Sequence, residues 1–257
     1  MCAAPFQALQ AATRGTPPPA RPRLLVAGAT GALGNEVLRR LVGLQQFSIA
    51  QVLAREPITT GLRGIGTTLV PGDDPSQWPD GCGDTGIVMF EPPRLFYDRE
   101  RALWTPTPQQ LPALAQWMLR SGVRTLAVVL PHAQARLPDA LKRGLASLDE
   151  QAVAALGFER VLILRAAQKP RHEKAGSWPA AVARWMLSVT GYMVPGREQP
   201  VRSAKLAEFV AAALQFAPPG IHVAASDLVW TAAQGDVREA VRAWLAQDGR
   251  GNAPESG

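Results

Sequence analysis

Gly28, Gly31 and Gly34 stand at even spacing between a short apolar run and an amphipathic one, and this arrangement narrows the fold more than any other stretch of the chain. Leu24, Leu25, Val26 and Ala27 form a continuous apolar run, as expected for a strand buried on both faces. Beyond the turn, Val37, Leu38, Leu41 and Val42 fall on one helical face, and Glu36, Arg39 and Arg40 on the other. Strand, glycine turn and helix together form the context in which this spacing carries meaning. Gly28 lets the chain leave the strand sharply, Gly31 lets the backbone approach a diphosphate, and Gly34 lets helix pack on strand. The helix start offers unpaired N–H groups and a positive dipole end to phosphate oxygens. Gly28, Thr30, Gly31, Ala32, Leu33 and Gly34 are therefore the candidate cradle for a dinucleotide. The alternative is a tight turn without a ligand.

The rest of the chain repeats the alternation. Strands are predicted over 49–54, 67–70, 87–90, 124–130, 161–164 and 221–224. Helices are predicted over 111–119, ended by Ser121-Gly122, and over 141–156, 179–189, 204–216 and 237–245. Strands alternating with helices imply a doubly wound parallel sheet, a Rossmann-type α/β fold with helices on both faces and a small C-terminal lobe. Residues 23–247 are expected to form one domain, with disordered tails over 1–22, where Thr16-Pro17-Pro18-Pro19 stands, and over 248–257. Trp178, Trp185 and Trp244 fall in or beside the later helices and are read as core residues.

Composition limits the function classes. The 27 Lys and Arg against 21 Asp and Glu give a net charge of +6, but the basic residues are scattered, so no nucleic-acid partner is expected. No apolar run reaches the ~20 residues of a membrane-spanning helix, and no membrane association is expected. Cys2 and Cys82 have no ligand-like spacing to a histidine. That predicts no metal site and fits a reduced, cytoplasmic setting.

Cofactor choice is read at the end of the second strand. An acid there would accept from a ribose 2′-hydroxyl, whereas Arg55 after Val52-Leu53-Ala54 can grip a 2′-phosphate, which favours NADP with NAD as the alternative. Asp73, in Gly72-Asp73 after the third strand, either lies by the adenine or serves the turn. Glu91 after the fourth strand either lines the cofactor cleft or, with Pro92-Pro93, ends the strand.

Ala27-Gly28-Ala29-Thr30-Gly31-Ala32-Leu33-Gly34, Arg55 and the segment Phe158 to Arg165 resemble the extended and atypical short-chain dehydrogenases/reductases, in their epimerase-like and NmrA-like branches. The resemblance spans roughly 23–245 and implies a Tyr-x-x-x-Lys pair after the fifth strand, with a Ser just after that strand. The chain departs from this pattern. Its two tyrosines are Tyr97, too early, and Tyr192, too late, while Lys142, Ala146 and His132 stand near the expected places. His132 and Lys142 are the substitute catalytic candidates, set against a plain loop histidine and a solvated helix lysine. Two functional classes follow. One is an NAD(P)-binding sensor or interaction protein without the usual pair, with a protein partner. The other is an NADPH-dependent oxidoreductase or epimerase-like enzyme acting on a small-molecule substrate through substitute groups.

Overall fold

The computed structural model describes residues 21–58, 63–94, 97–130, 148–166 and 201–251. Strand β1 (Arg23–Ala27) leads through the glycine turn into helix α1 (Gly31–Gly43). Next come β2 (Ile49–Ala54), β3 (Ile65–Leu69), β4 (Thr85–Met89), the single turn α2 (Asp98–Arg101), α3 (Leu111–Arg120) and β5 (Thr125–Leu130). The second half contributes α4 (Leu148–Ala154), β6 (Arg160–Arg165), α5 (Ser203–Phe216), β7 (Gly220–Ala224), α6 (Ser226–Gln234) and α7 (Val237–Gly251). The strands form one sheet in the order β3-β2-β1-β4-β5-β6-β7, and every pairing is parallel. The order reverses direction between β1 and β4, which makes a switch point at their carboxyl ends, the place where open α/β sheets form their binding crevice.

Burial on both sides explains the unbroken apolar strands. Leu24 and Val26 of β1 join the core under α1, α5 and α7. Leu25 and Ala27 face the opposite core, which holds α3, Trp78, Trp104 and Trp117. Each side chain of this kind withdrawn from water contributes ~1.5–3 kcal/mol, so the β1 run alone anchors both layers. Phe209 and Trp244 pack with ring centroids 5.8 Å apart, so Trp244 is a core residue; Trp178 and Trp185 lie outside the described residues.

The strand and helix pattern matches the sequence reading, with edges moved by pairing. Ile65 is drawn into β3 and Thr85 into β4 because each pairs in register with its neighbour, Ala50 and Leu24 respectively. The late stretch expected as a small C-terminal lobe adds, in residues 201–251, a seventh strand and three helices to the same sheet. Helix α6 was not anticipated; it is short, and only Val229 and Ala232 of it are fully buried. Helix α7 runs past residue 247, where the domain was expected to end, and Asp248 on it meets the ring of His222, Nδ1 to Oδ2 2.8 Å. The helix predicted over 179–189 lies outside the described residues.

Gly34 lets helix α1 lie directly against the turn backbone at Ala29. A Cβ there would stand 2.5 Å from the carbonyl carbon of Ala29, and backbone cannot yield as a flexible side chain can. Gly34→Ala is expected to lower stability by ~1–3 kcal/mol, read as a reduced urea midpoint at unchanged slope.

Candidate nucleotide crevice

The turn has the backbone that its glycines allow. Gly28 has φ 72° and Gly31 φ 71°, the left-handed region that side chains with a Cβ avoid. A Cβ on Gly28 would collide with the carbonyl oxygen of Met89 at the end of β4. Thr30 precedes the first turn of α1 and is fully buried; its hydroxyl donates to the carbonyl oxygen of Glu91 and lies 3.2 Å from Thr105 Oγ1. Ala32 is exposed and Leu33 half-buried. The six turn candidates thus stand together at the switch point, at the start of α1.

The N–H groups at this helix start are already in use. Leu33 N donates to Glu91 Oε2 at 2.6 Å, and Gly31 N donates to Glu100 Oε2 at 3.0 Å. Glu100 also accepts from Asn35 Nδ2 at 2.9 Å, Arg94 N at 2.9 Å and Arg94 Nε at 2.8 Å, while the Arg94 guanidinium completes an ion pair with it. Glu100 is only 5% exposed. Burial alone would raise its pKa, but the hydrogen bonds from Arg94, Gly31 and Asn35 outweigh burial and hold it below the ordinary carboxylate value. Two carboxylates therefore occupy the anion positions at this helix start.

The neighbouring end of the crevice is filled as well. Ala54 and Leu103 form an antiparallel bridge. Arg55 N donates to Ala102 O at 2.7 Å, Trp104 N to Leu53 O at 2.9 Å, and Gly28 N to Trp104 O at 3.2 Å. The segment that follows α2 thus lies across the carboxyl end of β2 and against the turn. Trp104 is fully buried; its indole N–H donates to Asp73 Oδ1 at 3.1 Å, and its ring meets Trp78 edge to face at 4.8 Å.

Arg55 and Asp73 come together as an ion pair, Nη2 to Oδ1 2.7 Å, with side chains 53% and 66% exposed. Asp73 is thus tied to Arg55 and Trp104 in this arrangement. Glu91, left open between two readings, has its carboxylate at the start of α1, where it accepts from Leu33 N. His132, Lys142, Ala146 and Tyr192 lie outside the described residues. Tyr97 stands at the start of α2, 51% exposed beneath the Arg94 guanidinium, 3.8 Å from its ring centre, far in sequence from the helix after β5. Sequence reasoning missed Asn35, Arg94, Glu100 and Trp104. The available signal was the unusual length of chain between Glu91 and α3. No three His, Cys, Asp or Glu residues among the described ones are placed to hold a metal ion. No helix among them is long and apolar enough to cross a membrane.

A second anion beside these carboxylates is disfavoured. Two like charges ~4 Å apart repel by ~4 kcal/mol at the effective dielectric of a protein surface. That is half of the ~8 kcal/mol by which a micromolar ligand binds. An incoming anion would have to displace the carboxylates.

No family model and no curated protein matches the chain. Among solved structures it is similar to MoeE5 in complex with UDP-glucuronic acid and NAD, at 14% identity over 82% of this chain and 81% of that one, TM-score 0.48. It is similar to a nucleoside-diphosphate-sugar epimerase from Staphylococcus aureus, at 12% identity over 83% and 78%, TM-score 0.46. It is also similar to the Bordetella bronchiseptica enzyme WbmG in complex with NAD and UDP, at 14% identity over 84% and 79%, TM-score 0.44.

Because the Glu100 pKa is lower in the folded chain than in the unfolded one, its contribution to stability is present at neutral pH and is lost as pH falls through the folded value. The stability difference between the parent and Glu100→Gln is therefore expected to be largest near neutrality and to shrink below pH ~4, read from urea midpoints across pH. A difference that is flat with pH would show that the charge of Glu100 is not what holds the site. The sheet order itself establishes a Rossmann-like fold, and its crevice is closed by two of the chain's own carboxylates.

Proposed function

We propose that the chain is an NAD(P)-binding protein of the short-chain dehydrogenase/reductase type that works without the Tyr/Lys pair, as a nucleotide sensor or interaction protein. The observation that carries this reading is the anion cradle at the switch point. Two glycines with φ near +70° deliver the N–H groups of Gly31 and Leu33 to carboxylate oxygens, the geometry that phosphate oxygens require. Gly28, Thr30, Gly31, Ala32, Leu33 and Gly34 would hold the diphosphate once Glu91 and Glu100 withdraw.

Arg55 supports NADP over NAD. Its guanidinium sits just past β2 and is half exposed, and its partner Asp73 is a solvent-exposed carboxylate that a 2′-phosphate can replace. A nicotinamide cofactor supplies hydride, but reducing a carbonyl also needs a proton donor on the forming oxyanion, worth ~10²–10⁴-fold in rate. Tyr97 is the sole tyrosine among the described residues, and it points to no such role beneath Arg94. The oxidoreductase or epimerase-like alternative rests on His132 and Lys142 as substitutes.

Thermal shift with NADPH, NADP, NADH and NAD tests the binding. A ligand at 100 times its Kd adds ~2.7 kcal/mol of stability, so the parent Tm is expected to rise, most with the 2′-phosphorylated pair. Arg55→Ala is expected to weaken NADP by roughly tenfold to a hundredfold and NAD little. Equal weakening of both would remove Arg55 from cofactor choice, and no shift with any of the four would sink the nucleotide reading.

A screen of carbonyls with NADPH and of alcohols with NADP is expected to show no turnover. Turnover that His132→Ala abolishes, with cofactor binding intact, would replace the sensor reading by the enzyme reading.

A further inference from the structure

Resting on the nucleotide reading above, we propose that Tyr97–Thr107, together with the Glu91 carboxylate, is an internal strap that closes the crevice, and that a dinucleotide enters by lifting it. Each contact of the strap takes a group that a bound nucleotide would need. Glu100 holds Gly31 N, and Glu91 holds Leu33 N. Ala102 and Trp104 hold the backbone of Arg55 and Leu53 at the end of β2, and the Trp104 carbonyl holds Gly28 N. Trp104 also engages Asp73, and Thr105 meets Thr30. The mimicry is chemical as well as positional, because acids stand where phosphates would be held and an indole stands beside the carboxylate read as an adenine neighbour.

The outer face of the strap is open to solvent. Its helix is a single turn whose Asp98, Arg99 and Arg101 are exposed. Its apolar anchors are Leu103, Trp104 and Pro106; its remaining ties to the crevice are hydrogen bonds and ion pairs, which an anionic ligand competes for. The carboxylates and the diphosphate exclude each other, so the closed strap raises the apparent Kd by the inverse of the open fraction. Lifting the strap exposes the Trp104 indole and frees Arg94 from Glu100. This turns nucleotide binding into a change of surface, as a sensor requires.

The test pairs binding with proteolysis. The parent and the double variant Glu91→Gln/Glu100→Gln are titrated with NADPH, NADP, NADH and NAD, their folding checked by circular dichroism. Parent protein is separately digested with trypsin with and without NADP, and cleavage after Arg99 and Arg101 is followed by mass spectrometry. The variant is expected to bind at least about tenfold more tightly than the parent, because neutral amides hold the strap more weakly, without the Arg94 ion pair, and do not repel the diphosphate. NADP is expected to speed cleavage of the parent at both sites. Binding by the parent as tight as by the variant, or unchanged cleavage when NADP is bound, overturns the strap and leaves the nucleotide reading standing. Binding by neither protein overturns the nucleotide reading, and the strap with it. If the variant does not fold, the parent digestion decides alone.

Discussion

The first turn of a helix leaves backbone N–H groups without partners, and in this protein that requirement falls at the carboxyl ends of β1 and β4. Helix α1 starts at the switch point between β1 and β4, where Gly28 and Gly31 bend the chain with positive φ so that its N–H groups face the crevice. Buried donors must find acceptors, and water, phosphate or carboxylate can each supply them. Here Glu91 and Glu100 do so. The packing of the loop after β4, the position of α2 and the path of the chain to α3 all follow from delivering these two acids to one helix end.

The cost of burying Glu100 shows how strongly the arrangement is specified. An isolated carboxylate at this depth would rather be protonated, yet Arg94, Asn35 and two backbone N–H groups keep it charged. The same segment is pinned on its other side by Trp104, whose ring joins Trp78 and Trp117 under the sheet. Crevice and core are thus coupled. The indole that lies at the β2 end of the crevice is part of the apolar layer that α3 covers.

Such a layout separates fold from chemistry. The parallel order and the glycine turn are those of a nucleotide-binding sheet, but a site is defined by the groups that reach it. In this protein those groups are acids from the chain itself, and any anionic ligand meets them first. An anionic ligand would compete with these internal anions for the same donors.

Local pattern was enough to place the strands and, apart from α2 and α6, the helices of the described residues, because apolar runs and helical faces record burial directly. It also placed the glycine turn, since positive φ and close approach demand glycine whatever surrounds them. Arg55 and Asp73 were each found as candidates, but their pairing was not, because it depends on β2 and β3 lying side by side. Glu91 left two readings open for the same reason: nothing near it in sequence says where its carboxylate points. Glu100, Arg94 and Trp104 carry no local signal at all. Their roles come from a long connection folding back over the carboxyl ends of β1 and β2, a contact across some 70 residues that periodicity cannot encode. What the residues dictated alone was a crevice able to hold an anion. Which anion occupies it was decided only when the sheet brought two distant carboxylates within hydrogen-bonding reach of the same helix start.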